Sequence, residues 1–221
     1  MLSDHWPLFD LRIRTPRLEL RYPSDADCGL LADLTRETVH DKGFMPFTTP
    51  WTRAPSPIRE QNALRHWWRL RANLSVEDWT LPFIVLDDNE PVGAQDLTGT
   101  SFSVTRSVST GSWLVQRRQG QGIGKEMRAA VLHLAFAGLG ATEAHTSAFE
   151  DNPASLGVTR SLGYADNGSQ IDDREGRPVR HLRFVLRRSD WEQRRRPDIA
   201  IENLEPCLSL LGVDSGVRDA M

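Results

Sequence analysis

The chain has 221 residues, a mass of 25.0 kDa and a formal net charge of −3, with 39% hydrophobic and 26% charged residues. This length suits one large domain or one domain with an extension, and the hydrophobic fraction is sufficient for a packed core, which excludes general disorder. The slightly acidic balance argues against nucleic acid as the main partner of the whole chain.

The apolar segments and the cysteines indicate the cellular compartment of the protein. The longest apolar stretch, Ala129 to Ala141, is interrupted by His133 and Gly138 and is shorter than the about 18–20 residues that span a bilayer. No basic segment leads into an apolar run at the N-terminus, so we expect no signal peptide. Cys28 and Cys207 are too few for a disulfide framework or a cysteine-based zinc site. We expect a protein of the reducing cytoplasm, with no membrane segment and no metal site.

The first half of the chain predicts strands at both ends and two helices between them. Polar and apolar residues alternate from Leu11 to Arg21, which predicts one half-buried strand that Thr15-Pro16 interrupts as at an edge or bulge. Ser24 can cap a helix, and Ser56-Pro57 predicts a cap followed by proline at the first helical position. The predicted elements are a strand from Leu11 to Arg21, a helix from Ser24 to Arg36, an ordered loop from His40 to Pro57, a helix to Leu74, and a hairpin of Leu81 to Leu86 with Val92 to Thr98.

The second half alternates strands and helices, so the chain predicts one α/β domain around a mixed sheet. Its predicted elements are a strand from Val108 to Val115, a helix after Gly124 to Gly138, a strand from Thr142 to Phe149, a helix from Asn152 to Ser161, a turn from Leu162 to Tyr164, a strand from Val179 to Arg187, and a weak strand (Ile199, Ile201) and helix (Pro206 to Leu211). The first of these helices places apolar residues on one face: Ile123, Met127, Ala130, Val131 and Leu134. We expect a domain over residues 1–196 and an extension, residues 197–221, that packs on it or at a subunit interface.

A glycine-rich segment, Gln119-Gly120-Gln121-Gly122-Ile123-Gly124, lies between a predicted strand and an amphipathic helix. Free N–H groups at a helix N-terminus favour an anion, so the segment predicts a phosphate site. A Walker A loop ending at Gly124-Lys125 needs glycine and a hydroxyl where the chain has Gln119 and Glu126, and a dinucleotide fingerprint from Gly120 needs a third glycine where Lys125 stands. Both of these phosphate motifs are excluded.

The remaining pattern, Gln119-x-x-Gly122-x-Gly124 after Trp113-Leu114-Val115, resembles the (Arg or Gln)-x-x-Gly-x-(Gly or Ala) motif of the GNAT superfamily of N-acetyltransferases. Further segments resemble the ribosomal-protein-acetyltransferase-like branch in the same order: Thr15 to Arg21, Gly111 to Leu114, Asn152 to Ser155 and Leu162 to Tyr164. The resemblance extends from Leu11 to Trp191. Within the branch, other segments resemble mycobacterial proteins proposed as succinyltransferases: His5 to Asp10, Met45 to Phe47, Pro50 to Ala54 and Gly111 to Trp113.

The resemblance implies a GNAT fold, in which a mixed sheet flanked by helices is splayed between the family's fourth and fifth strands, here Val108 to Val115 and Thr142 to Phe149. The pantetheine arm of acyl-CoA would fill that gap. Leu114 and Val115 would offer backbone groups to the arm and the thioester, Asn152 would bond the arm, and Ser155 would lie near the sulfur. The residues expected to surround the pyrophosphate are Gln119, Gly120, Gln121, Gly122, Ile123, Gly124 and Lys125.

The chain departs from the family pattern at two catalytic positions. Many members carry tyrosine as general acid where this chain has Thr159; Ser155 or Tyr164 could replace it, and we favour Ser155 as the group that stabilises the thiolate. Where the branch often has a glutamate base, this chain has Ser109. The general base is therefore unassigned. A water relay is one possibility, and the candidate residues are His40, Asp41, His145 and Glu150. A β-bulge N–H would stabilise the developing oxyanion.

The sequence thus predicts an N-acyltransferase that moves an acetyl, succinyl or related short acyl group from acyl-CoA to a small-molecule or peptide amine. One alternative takes the acyl group from an acyl carrier protein, whose acidic helix would suit Arg117, Arg118 or the nine arginines from Arg174 to Arg196. That run otherwise reads as the solvated faces of a hairpin and a helix. Another alternative is a catalytically silent CoA-binding sensor or scaffold. We expect no nucleic-acid or membrane partner, and a homo-oligomer is compatible with the pattern.

Overall fold

The computed structural model describes residues 1–213, in which nine strands form one mixed sheet. The strands are β1 (Arg12–Arg14), β2 (Leu18–Arg21), β3 (Asp78–Asp87), β4 (Glu90–Thr100), β5 (Ser107–Leu114), β6 (Glu143–Phe149), β7 (Ala165–Arg174), β8 (Arg177–Arg187) and β9 (Ala200–Glu202). Their order across the sheet is β7-β8-β6-β5-β4-β3-β2-β1-β9. Among the described strands, β5 and β6 are the pair that runs parallel.

Helices flank the sheet on both faces, which confirms the predicted α/β fold. They are α1 (Asp25–Leu34), α2 (Ile58–Ala72), α3 (Phe102–Thr105), α4 (Ile123–His133) with a π-helical turn (Leu134–Gly138), α5 (Pro153–Ser161) and α6 (Arg188–Glu192). Short 3₁₀ turns are Leu2–Asp4, Pro7–Asp10, Trp51–Arg53, Gln116–Arg118 and Glu205–Leu211. In the described part of the chain, no helix is long and apolar enough to cross a membrane.

The two faces of the sheet carry separate cores. Helix α4 packs in the main core, and all of its predicted apolar face is buried there, from Ile123 to Leu134. Helices α1 and α2 cover the other face through a smaller cluster that includes Leu31, Trp67 and Ala94. Side chains of β4 and β5 therefore point alternately toward α4 and toward α2.

The predicted single strand from Leu11 to Arg21 is wrong. The segment forms a hairpin, in which β1 and β2 pair antiparallel around Thr15-Pro16-Arg17. Thr15 Oγ1 accepts from Leu18 N–H at 2.8 Å, which closes the turn. Proline lacks the N–H that a continuous strand needs, and both short strands alternate, so the pattern hides the reversal. The family's fourth and fifth strands are consequently β5 and β6 here.

The two predicted helix caps have different outcomes. Ser24 caps α1 in a capping box with Asp27, as predicted. Ser56 is not a cap, because Pro57 occupies the N-cap position of α2 and Ser56 Oγ donates to Glu60 Oε1 at 2.7 Å. The proline therefore lies one position earlier than predicted.

The C-terminal part adds strands that the sequence indicated weakly or not at all. Strand β7 is exposed along most of its length, so its sequence lacks the alternation that marks a half-buried strand. The arginine-rich run lies in the β7–β8 hairpin, in α6 and in the residues that follow α6, and most of its arginines are exposed, as the solvated-face interpretation predicts. Strand β9 pairs with β1, and Cys207 and Leu211 lie in the main core. The boundary at residue 196 stays a prediction, and residues 214–221 lie outside the described part.

Candidate functional site

Strands β5 and β6 separate after a short parallel pairing, which confirms the predicted splay. They pair at Ser107 with Glu143, at Val108 with Ala144 and at Ser109 with His145, and no further pair follows in the described chain. The rest of β5, to Leu114, borders a V-shaped gap. Its apex lies beside the last pair and its wide end at Leu114.

Backbone groups of β5 point into this gap. Val115 N–H donates to Val92 O on the β4 side at 3.0 Å, and because peptide groups alternate in direction along a strand, those of Leu114 and Ser112 face the gap. Val115 O also has a partner, Arg118 N–H at 3.0 Å. Of the two residues predicted to hold the pantetheine arm, Leu114 thus has its N–H on the gap side, whereas both backbone groups of Val115 are already bonded.

The expected β-bulge is not present in β5. Its pairing with β4 runs without a shift from Gly93 opposite Leu114 to Gly99 opposite Val108. Regular strand N–H groups of Ser112 and Leu114 line the edge that β6 leaves open, so no bulge is needed to present a donor there. These N–H groups are the available donors for a developing oxyanion.

The glycine loop closes the wide end of the gap. Gly120 and Gly122 have φ of 72° and 81°, a left-handed conformation that favours glycine. Gly122 is the N-cap of α4 without a side-chain cap, and the first helical bond runs from Glu126 N–H to Gly122 O. The N–H groups of Ile123, Gly124 and Lys125 precede that bond and are available to an anion.

Neighbouring side chains hold the loop in place. Gln119 Nε2 donates to Leu114 O at 2.9 Å and to Val39 O at 2.8 Å. Arg17, in the β1–β2 turn, donates to Gln121 O at 3.2 Å and pairs with Glu126 at 3.2 Å. Hydrogen bonds therefore fix Gln119 and Gln121 to neighbouring elements, so the loop has its conformation without a ligand.

Charge near the loop is distributed unevenly. Arg117 pairs with Glu37 at 2.7 Å, and Arg118 pairs with Asp87 at 2.8 Å, so both guanidinium groups are neutralised. Lys125 has no carboxylate partner within residues 1–213. It lines a cavity of about 240 Å³ together with Ala129, Leu132, His133, Ser161, Leu162, Trp191, Arg194, Arg196 and Ile199.

Helix α5 begins beside the gap. Asn152 caps it, because its Oδ1 accepts from Ser155 N–H at 3.1 Å. Ser155 is half-buried, and its hydroxyl has no partner within the described chain. It lies one turn before Thr159, which is fully buried and on the same side of the helix. Tyr164 is buried in the main core, and this burial raises the pKa of its hydroxyl.

A buried arginine lies at the apex of the gap. Arg128, on α4, is 5% exposed. Its Nη1 donates to Thr146 Oγ1 on β6 and Thr159 Oγ1 on α5, at 3.3 and 3.2 Å, and its Nη2 to Ser112 Oγ on β5 at 3.1 Å. Burial lowers the pKa of Arg128. Sequence reasoning did not single it out, although a lone arginine within an apolar helix was a visible signal.

An unpaired carboxylate lies on the opposite face of the sheet. Asp96, on β4, is flanked by Pro82 on β3 and Gly111 on β5, which offer no side-chain donor. Burial raises the pKa of Asp96 to about 7. Its Oδ2 lies 3.9 Å from the point where a Cβ of Gly111 would stand, so no side chain at that position separates it from the gap. Sequence patterns do not distinguish Asp96 from other strand aspartates, because its environment depends on strand register.

The residues predicted as candidate bases are mostly engaged elsewhere. Both ring nitrogens of His40 are bonded, to Asp41 O at 2.9 Å and Thr52 Oγ1 at 2.7 Å. Asp41 Oδ1 accepts from Gln116 Nε2 at 2.7 Å. His145 lies at the apex, 3.5 Å from Glu143, and Glu150 is exposed. Of this set, His145 is the one beside the gap.

Aromatic rings extend from the face that carries Asp96. Trp113 is opposite Ala94, two residues from Asp96 on the same face. Its ring centroid is 5.4 Å from that of Trp51, which is 5.2 Å from Phe47. The Trp51–Arg53 turn is in the loop between α1 and α2. Phe47 and Trp51 of this loop and Trp113 of β5 therefore form an aromatic wall on the face of the sheet that carries Asp96.

The comparisons with known proteins agree with this architecture. A solved structure of Mycobacterium smegmatis RimJ in complex with CoA-disulfide is similar at 20% identity, over 81% of this chain and 88% of that chain, with a TM-score of 0.66. RimL, a ribosomal L7/L12 alpha-N-protein acetyltransferase in complex with coenzyme A, is similar at 17% identity over 78% and 95%, with a TM-score of 0.64. A spermidine N-acetyltransferase SpeG chimera from Vibrio cholerae and hSSAT is similar at 16% identity over 80% and 98%, with a TM-score of 0.62.

At these identities the likeness to solved structures shows the fold alone. The family model described as the acetyltransferase (GNAT) domain matches residues 17–165, a range that holds the gap, the glycine loop and α5. This match extends over more than half of the chain. The chain therefore belongs to the GNAT acetyltransferase family and is an acyltransferase.

Proposed function

We propose that the protein is an N-acyltransferase that moves a short acyl group, such as acetyl or succinyl, from acyl-CoA to an amine by direct attack. The observation that carries this proposal is the position of the glycine loop, residues 119–125, at the wide end of the gap between β5 and β6. Helix-terminal N–H groups suit a phosphate, and an open strand edge suits an extended arm. A pantetheine thioester joined to a pyrophosphate has both parts.

The donor would lie along β5, with its phosphates at the loop. The N–H of Leu114 bonds the pantetheine arm in this proposal, together with Asn152, whose Nδ2 has no partner in the described chain. Ser155 lies near the sulfur. The pyrophosphate is surrounded by Gln119, Gly120, Gln121 and Gly122 and by the N–H groups of Ile123, Gly124 and Lys125.

Transfer forms a bond between the amine nitrogen and the thioester carbonyl carbon while the C–S bond breaks and its electron pair leaves on sulfur. The N–H group of Ser112 stabilises the carbonyl oxygen as it becomes negative. Ser155 donates a hydrogen bond to the thiolate. Asp96 accepts the proton of the amine through a water molecule, because a pKa of about 7 suits a base at neutral pH.

Free CoA is the proposed source of the acyl group. Lys125 is a cation without a carboxylate partner and lies with Arg194 along one cavity, and such cations suit the several phosphates of CoA. Arg117 and Arg118, which could have faced an acidic carrier helix, are paired with carboxylates. A carrier protein would then depend on exposed arginines of the β7–β8 hairpin, such as Arg177 and Arg180.

The proposed acceptor is a small-molecule or peptide amine. The aromatic wall beside Asp96 suits an amine on an apolar or cationic chain, because aromatic faces attract cations. RimL is named as an acetyltransferase of a ribosomal protein and SpeG as one of spermidine. The assay described next therefore includes both peptide and polyamine acceptors. The likeness to mycobacterial succinyltransferases and the homo-oligomer stay predictions.

A thiol-release assay with the full chain tests the proposal. The donors are acetyl-CoA, succinyl-CoA and acyl-loaded carrier protein, and the amines are polyamines, aromatic amines and short peptides. We expect free thiol from acyl-CoA only when an amine is present, and its release is measured with a thiol reagent. Release from the loaded carrier alone would favour the carrier alternative. CoA binding without any release would favour the silent sensor.

A further inference from the structure

The loop between α1 and α2 contacts the strands on both sides of the gap. On the β5 side, the ring centroid of Trp51 lies 5.4 Å from that of Trp113. On the β6 side, Arg53 pairs at 2.7 Å with Glu175, which is in the turn of the β7–β8 hairpin. Because Trp51 and Arg53 belong to one short turn and contact opposite sides, the loop crosses above the gap. We call residues 38–53 the roof loop.

A stack of side chains fixes the roof loop on the β6 side. The Arg174 guanidinium lies over the ring of Phe44 of the loop, at 5.5 Å, and over the ring of Phe149 of β6, at 4.7 Å. The Phe149 ring also stacks on that of His181, with 4.6 Å between the centroids. Arg174 donates two hydrogen bonds to Asp151, at 2.8 and 2.6 Å. One arginine thus joins the loop, the end of β6 and the hairpin.

This stack lies on the face of the sheet that carries Asp96. Gly111 on β5 is opposite Asp96, and Ser109, two residues earlier, is opposite His145 on β6. Side chains two or four residues apart on a strand share a face. Phe149 therefore lies on the same face as His145, and the roof loop covers the face from which the amine would approach.

The roof loop and the hairpin are joined by charge rather than by close packing. Arg53 donates two hydrogen bonds to Glu175, at 2.7 and 3.0 Å. Glu175 and Gly176 have φ of 54° and 80°, the positive values of a two-residue hairpin turn, which fixes the position of the carboxylate. A cavity of about 350 Å³ remains between the loop and the hairpin, bordered by charged side chains of both. The two arginines, Arg53 and Arg174, therefore set how firmly the loop is held.

We propose, on the basis of the function proposed above, that Arg53 and Arg174 hold the roof loop over the acceptor side of the gap, and that this roof restricts the acceptor to a small-molecule amine. The amine has to reach the edge of β5, and the roof loop lies over the wide end of that edge. The part of the face that stays exposed is at Ser109, Gly111 and Ser147. A compact amine can pass there, whereas a peptide or protein chain that carries the amine needs the space that the roof loop occupies.

The test compares small amines with a peptide amine. The small amines are phenethylamine and spermidine, the peptide is short with a free N-terminus, and thiol release from acetyl-CoA or succinyl-CoA is measured. For the wild-type protein we expect kcat/KM to be at least about tenfold higher for the better small amine than for the peptide. In the double variant Arg53→Gln, Arg174→Gln this ratio should decrease by about three- to tenfold, because exposed ion pairs contribute modestly, while KM for the acyl-CoA stays unchanged.

Arg14→Gln is the matched control. Arg14 pairs with Glu202 at 2.9 Å at the other end of the sheet, and its side chain is exposed to a similar extent, 49% against 44% for Arg53. This variant should keep the wild-type ratio. Wild-type preference for the peptide, or an unchanged ratio in the folded double variant, overturns the proposal.

Hydrogen exchange tests the roof without any reaction. Backbone amides of residues 43–53 should exchange faster in the double variant than in wild type, and Arg14→Gln should leave their exchange unchanged. Equal exchange in the double variant and wild type overturns the roof. If no acyl-CoA releases thiol with any amine, the proposed function fails, and calorimetry of the amines with the CoA-bound protein then decides the restriction. Tighter binding of the small amines than of the peptide supports it, and any other result overturns it.

Discussion

At the scale of single residues, the site has charged groups on both faces of the sheet. Asp96 lies on the face of the aromatic wall, and Arg128, on α4, donates to side chains of β5, β6 and α5. Neither forms an ion pair in the described chain. An amine that approaches from the face of Asp96 and a thioester held in the gap would meet at the edge of β5, which is the geometry that direct transfer needs.

The pKa of Asp96 predicts the pH dependence of activity. Its carboxyl titrates at about 7, and the base must be deprotonated, so kcat/KM should rise as pH increases through 7 and then level off. Asp96→Asn should lower kcat and remove this rise. His145→Gln is the matched control, because His145 also lies beside the gap, and its profile should keep the rise. Loss of the rise in His145→Gln alone would transfer the role to the histidine.

The same residue predicts how stability changes with pH. The folded pKa of Asp96 is about 7, above the about 4 of an unfolded aspartate, so the folded state retains a proton that the unfolded state releases between these values. Its stabilising contribution is complete below pH 4 and is lost as pH rises through 7. Thermal melts should show a smaller decrease in Tm from pH 5 to pH 8 for Asp96→Asn than for wild type. An equal decrease in both proteins would contradict the raised pKa.

Ser155 is predicted to act on the leaving group. Ser155→Ala should lower kcat by up to about 10²-fold with little change in donor affinity, because a hydroxyl lies at the low end of general-acid assistance. Single-turnover rates isolate the chemical step, and calorimetry measures donor affinity. Ser161→Ala in the same helix is a control that should leave kcat unchanged. An unchanged single-turnover rate in Ser155→Ala would remove the residue from the mechanism.

At the scale of elements, the β5–loop–α4 unit forms the proposed phosphate site, and its conformation depends on Gly122. That residue has φ of 81°, a conformation that costs a residue with a Cβ about 1–2 kcal/mol. Gly122→Ala should therefore weaken the binding of CoA and lower Tm. Gly157→Ala is the matched control, since a Cβ there meets open space in α5 and should raise Tm slightly. Wild-type CoA affinity in Gly122→Ala, measured by calorimetry, would contradict the assignment.

At the scale of the whole molecule, the arrangement of strands follows from hydrophobic patterns, and the site depends on register. The hairpin of β3 and β4 was predictable from two apolar runs around Asp88-Asn89, which have the positive φ of a tight turn. The exposed strand β7 was not, because its residues lack alternation. The loop of residues 119–125 was visible because glycine spacing is local. Asp96 and Arg128 were not assigned, since the surroundings of both side chains are set by distant strands and helices.

The distribution of charge over the molecule predicts which cations affect the donor. Lys125→Ala should raise KM for acyl-CoA several-fold, because Lys125 has no carboxylate partner and adjoins the loop. Arg118→Ala is the control and should change KM less, because Asp87 already pairs with that guanidinium. Charge reversals at Arg177 and Arg180 should leave KM for acyl-CoA unaltered. If the reversals at Arg177 and Arg180 changed the KM for the donor more than Lys125→Ala does, an acidic carrier would be favoured as donor.

The most direct test of the account is a crystal structure of the full chain with a non-reactive acyl-CoA analogue. We expect the pyrophosphate on the N–H groups of Ile123, Gly124 and Lys125, and the pantetheine arm between β5 and β6 within hydrogen-bond distance of Leu114 N–H. A structure in which the analogue is bound elsewhere, and the gap beside β5 from Ser109 to Leu114 is empty, would contradict the account.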